Sequence, residues 1–177
     1  MSEYSERLLV DAPRKDKVQR LRLIWLVLIP LVAILFQVYV SRFVDSLKYL
    51  ELPLLITVHF ALSERRPIPA LAYGAVIGMI QDALSRQPIG MLGIDKTLVG
   101  YFAASVSLRF DVENPLVTFV LTFFFYFFHE FLHWVEVRAL LGQPASFDPQ
   151  QTLLFGLLNA AISVPLYLVL DKMKVAA

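Results

Sequence analysis

Apolar runs of near-membrane length constrain this chain more than any other feature. A helix that crosses a bilayer needs about 20 apolar residues, roughly 17–25, and must satisfy all its backbone polar groups internally. Five runs fit plainly: Leu23–Val40, Ile68–Leu84, Met91–Leu108, Leu116–Val135 and Leu153–Leu170. A sixth, Leu47–Leu62, reads as short or tilted, because Lys48, Glu51 and Pro53 crowd its start. The 177 residues are 58% apolar with a mean hydropathy of +0.64, against roughly 45–50% apolar usage in soluble domains. The expectation is an all-α, polytopic membrane protein with six transmembrane helices.

The formal net charge of +1 hides an asymmetry. Arg7, Arg14, Lys15, Lys17, Arg20 and Arg22 precede the first run, and Arg65, Arg66, Arg109, Lys172 and Lys174 share its side if six helices alternate. The other side receives Arg42, Lys48, Arg86 and Arg138. By the positive-inside rule both termini are then cytoplasmic. This divides the chain into a basic cytoplasmic tail (1–22), a six-helix domain (23–171) and a short cytoplasmic tail (172–177). A basic tail beside a membrane helix fixes topology or touches anionic lipid, and no nucleic-acid recognition motif accompanies it. The first run exceeds the about 7–15 residues of a signal-peptide core, and no small-residue cleavage site follows, so it is expected to be retained. Cysteine is absent, which excludes disulfides and thiolate metal sites.

Within these runs, Gly74–Tyr101 stands apart. Gly74, Gly78 and Asp82 are four residues apart and share one helix face. After the Ser85–Gly90 break, Gly93, Lys96 and Gly100, three and four residues apart, again share one face. Small residues let helix backbones approach closely in lipid, so both faces are expected to pack on another helix or a partner. Charges inside spans cost about 2.5–3.5 kcal/mol at the centre and face protein. Asp82 therefore reads as a boundary residue that satisfies helix ends or the Ser85–Gly90 turn. An Asp82–Lys96 or Asp95–Lys96 pair would neutralise the lysine.

His129-Glu130-Phe131-Leu132-His133 is an H-E-x-x-H pattern. On a helix it sets two imidazoles one turn apart, a geometry that can hold Zn²⁺ with the glutamate as general base. An intramembrane zinc metalloprotease using His129, Glu130 and His133 is one alternative function. It needs a third ligand, and the candidate Asp171 falls at the opposite side of the membrane, with His59 as a substitute. The plainer reading is a polar stripe of Thr122, Tyr126, His129, His133 and Glu136 facing the bundle or a partner. G-x-S-x-G and phosphate-binding glycine loops are absent. No enzyme is expected, and no cofactor.

The residues Gly78-x-x-x-Asp82, Pro88-Ile89-Gly90 and Lys96-Thr97-Leu98-Val99-Gly100-Tyr101 carry a resemblance to the MreD family of rod shape-determining proteins. The length and six-run layout agree across nearly the whole chain. The resemblance implies a non-enzymatic scaffold of the cell-elongation complex in the bacterial inner membrane. It would bind MreC and, through it, connect with MreB, RodA and a class B penicillin-binding protein to position peptidoglycan synthesis. It also implies a fold similar to the substrate-binding components of vitamin transporters. That kinship makes a small-solute-binding subunit, with polar groups such as His59, Asn159 and His133, a second alternative. A homodimer stays open. The helix-packing or partner-binding residues expected are Gly74, Gly78, Asp82, Gly90, Gly93, Lys96, Gly100, His129 and His133.

Overall fold

The computed structural model describes residues 19–21, 23–40, 43, 45–85 and 88–176. Most of the basic tail, with Arg42 and Arg86, lies outside the described residues. Six α-helices form the body: α1 (Leu23–Val40), α2 (Leu52–Glu64), α3 (Pro67–Ser85), α4 (Met91–Ser107), α5 (Pro115–Ala139) and α6 (Pro149–Asp171). Each coincides with one apolar run of the sequence. By length and composition α3, α5 and α6 can cross a membrane, and Ile24–Val40 is a shorter apolar helix.

The second run departs most from its expected limits. Residues Asp45–Tyr49 form a 3₁₀ turn, and α2 begins only at Leu52, with a proline in its first turn. Thirteen residues span only about 20 Å, short of the about 30 Å hydrocarbon core. The helix tolerates this because it is wrapped by protein: Leu54, Leu55, Val58 and Ala61 are all at most 1% exposed. They pack with Val99 and Ala103 of α4, Phe125 of α5 and Tyr167 of α6.

The surface is inverted relative to that of a water-soluble protein. Ile24, Val27 and Val32 of α1, Val120 and Phe124 of α5, and Leu154 and Val169 of α6 are more than half exposed. Thr57, Asp82, Asp95, Lys96, Asn159 and Ser163 have at most 1% exposure. Apolar outside and polar inside is what lipid selects, since a polar group facing hydrocarbon has no partner.

Two features had no counterpart in the sequence pattern. Gln19–Leu21 pairs antiparallel with Lys174–Ala176, with Arg20 opposite Val175, so the described ends of the chain meet at one end of the bundle. At the opposite end, the break before α2 is capped from a distance. Asn159 of α6 accepts the Glu51 N–H at 3.0 Å and donates to the Tyr49 carbonyl at 2.7 Å. Its second donation goes to Phe155 O. This buried amide is thereby committed to backbone, which removes Asn159 as a solute-binding group.

Candidate functional site: a buried charged cluster beneath a cavity

The glycines act between α3 and α4. A Cβ on Gly74 would overlap the Lys96 carbonyl, and one on Gly78 would overlap the Leu92 carbonyl and lie 2.6 Å from Gly93 Cα. A Cβ on Gly100 would come within 2.5 Å of the Ala70 carbonyl oxygen. Both small-residue faces are therefore spent on each other inside the chain. Gly93 is less tightly held, since its Cβ would meet the flexible Met79 side chain at 3.2 Å.

Asp82 sits where this helix pair turns. Gly90 adopts φ +106°, a conformation that favours glycine and leaves the start of α4 without a capping side chain. Asp82, 0% exposed, supplies the cap from the preceding helix. Its carboxylate accepts N–H bonds from Gly90 at 2.9 Å, Leu92 at 3.2 Å and Gly93 at 3.2 Å. These are amides that an N-cap side chain would otherwise take, and the α4 dipole adds to the attraction. Asp82 is thus a buried cap, without the water access expected at a boundary.

Lys96 forms neither of its anticipated pairs. Its ammonium is wholly buried, and its ion pair is with Glu51 at 4.0 Å. The reason is local geometry. Consecutive helix residues diverge by about 100°, so Asp95 points away from Lys96, toward α5; Asp82 is taken by the backbone. Glu51 also accepts from Gln37 of α1 at 3.4 Å. Lys96 Nζ and Glu51 Oε2 have no hydrogen-bond partner among the described residues.

Asp95 turns the H-E-x-x-H segment into an inter-helix contact. Its Oδ2 lies 3.1 Å from His133 Nδ1 and 3.8 Å from His129 Nδ1. The stripe on α5 faces inward: Thr122, Tyr126, His129 and Glu136 are buried, and His133 is half-buried. Asp171, the ligand considered for a protease, instead meets His59 at 3.5 Å. His59 in turn packs on Tyr167, with ring centroids 4.5 Å apart. The sequence therefore named the histidines but not the carboxylate that joins them.

A cavity of about 330 Å³ opens above this cluster, its lining including Lys48, Glu51, Tyr126, Glu130, His133 and Trp134. Neither His59 nor Asn159 lines it. The loop between α5 and α6 closes one side, where Trp134 Nε1 donates to the Ala145 carbonyl at 3.0 Å. Phe147 packs edge-on against Phe127 and Phe131. Glu51 was missed as a site residue; an acid placed directly before Leu52-Pro53 in apolar sequence was the available signal.

Residues 19–174 match the family model for the rod shape-determining protein MreD. No curated protein and no solved structure matches the chain. The family match covers the glycine-packed helix pair, the capped turn and the charged cluster together. This helical membrane protein belongs to the MreD family and carries its role in determining rod shape.

Proposed function

We propose that the chain is a non-enzymatic, multi-pass scaffold of the bacterial inner membrane that docks MreC and so positions the peptidoglycan synthase during elongation. The single observation that carries this reading is the family match over residues 19–174. Its six helices cross the membrane with both termini cytoplasmic. The bias of basic residues and the pairing of Gln19–Leu21 with Lys174–Ala176 support that topology.

Since the glycine faces of α3 and α4 are consumed internally, the partner docks elsewhere. The turn before α4 suits it: Ile89 is 83% exposed beside the Gly90 amide held by Asp82. An apolar side chain on a fixed turn lowers the ordering cost of binding. Ile89→Asp is expected to reduce co-purification of MreC and to round the cells, with the thermal midpoint of the purified protein unchanged. Full MreC recovery with Ile89→Asp removes the turn as the contact. Normal rod shape in a strain lacking this protein removes the role itself.

The cavity favours a second reading, a small-solute-binding subunit, because about 330 Å³ falls at the lower end of ligand-pocket volumes. A solute that co-purifies and raises the thermal midpoint supports it, and loss of that effect in Glu130→Gln places the solute in the cavity.

A further inference from the structure

The H-E-x-x-H segment has a use in this fold that differs from the one its pattern suggests. Donor atoms of Asp95, His133 and Glu136 all lie within 4.8 Å of one another. A Zn²⁺ ion holds nitrogen and carboxylate ligands at about 2.0–2.2 Å, so tetrahedral donors stand about 3.3–3.6 Å apart. His133 Nδ1 and Asp95 Oδ2 already stand 3.1 Å apart, and side-chain rotation closes the rest of the set on an ion. Asp95 projects from α4, and His133 and Glu136 are three residues apart on one face of α5.

A second observation is independent of that spacing. Asp95 Oδ1, Glu136 Oε2 and His129 Nδ1 are each buried without a hydrogen-bond partner among the described residues. Buried polar atoms in folded proteins are nearly always paired, so such a concentration of unpaired ones points to a missing partner. The lysines nearby are engaged with other acids: the Lys96 ion pair is with Glu51, and Lys48 lines the cavity beside Glu51 and Glu130. His133 is the half-buried member and lines the cavity, which gives an ion its way in.

We propose that Asp95, His133 and Glu136 form a binding site for a borderline-soft first-row divalent cation such as Zn²⁺, tying α4 to α5 and reached from the cavity through His133. One imidazole and two carboxylates suit such an ion. Glu130 is outside this ligand set, and the site differs from the His129–His133 pair that a zinc protease would use. The inference rests on this geometry and is independent of MreC docking.

The test uses the full-length chain, stripped by chelator and held in nanodiscs, with Zn²⁺ as the probe. Titration is expected to bind one Zn²⁺ per chain and raise the thermal midpoint. Glu136→Gln and His133→Gln should weaken binding by more than the about 10–100-fold typical of losing an outer-shell partner. Glu130→Gln should leave it intact. Because Asp95→Asn is at risk of misfolding, Co²⁺ substitution in the unaltered protein provides the second readout. Its visible absorption should report a site of nitrogen and oxygen donors, and the band should vanish in Glu136→Gln. Absence of any Zn²⁺-dependent shift overturns the proposal and leaves Asp95 with His133 as a plain ion pair. So does binding that survives Glu136→Gln but is lost in His129→Ala.

Discussion

At the scale of single residues, the fold depends on polar groups that serve backbone from a distance. Asp82 holds three amides at the start of α4, where Gly90 has no side chain to do so. Replacing it with alanine leaves buried N–H groups unpaired, and hydrogen bonds to a charged group contribute about 1.5–3 kcal/mol each. Asp82→Ala is expected to lower the unfolding free energy in detergent by about 2 kcal/mol or more, and Asp82→Asn by less, since the amide keeps an acceptor. Equal stability of the two variants would contradict the capping role. Gly90→Ala tests the same turn through its backbone. Nothing lies within 4 Å of the added methyl, so its cost is the left-handed conformation alone, about 1–2 kcal/mol.

Among elements, the tightest relation is between α3 and α4, and it separates two kinds of glycine. Gly78 faces the α4 backbone, which cannot move aside, whereas Gly93 faces the Met79 side chain at Cγ, 3.2 Å from an added Cβ. Gly78→Leu should therefore force the helices apart and cost more than the about 1–3 kcal/mol of ordinary overpacking. Gly93→Ala should cost under about 1 kcal/mol, because a rotamer change absorbs it. Limited proteolysis and chemical unfolding in detergent would show the contrast. Gly78→Leu would also reduce partner recovery, but only as a consequence of unfolding. Comparing it with Ile89→Asp separates the two effects.

For the molecule as a whole, the question is which end faces which compartment. The chain has no cysteine, so each introduced thiol is a unique probe. A cysteine at Ile89 is expected to react with a membrane-impermeant maleimide in intact spheroplasts. One at Arg66 or Lys172 should react only after permeabilisation. Both positions are exposed, so lack of access would not explain a negative result. Labelling of Ile89 and Lys172 from the same side would overturn a six-crossing arrangement.

The helices themselves were legible in the sequence, because hydropathy and helical period are local properties of consecutive residues. So were the close-packing glycines and the inward stripe of α5, whose spacing alone places them on one face. Start positions were less so. Asp148-Pro149 begins α6 four residues before its apolar run, with Asp148 accepting from the Gln150 and Gln151 amides. A hydropathy window passes over such a cap. The pairings were decided only in three dimensions. Lys96 meets Glu51 and not Asp95, Asp95 meets the histidines of α5, and Asn159 caps a helix far from it in the chain. Hydropathy says that a helix lies in the membrane but not how it is rotated or raised against its neighbours. Shifts of one residue, about 1.5 Å along the axis and 100° around it, decide which buried charge finds which partner.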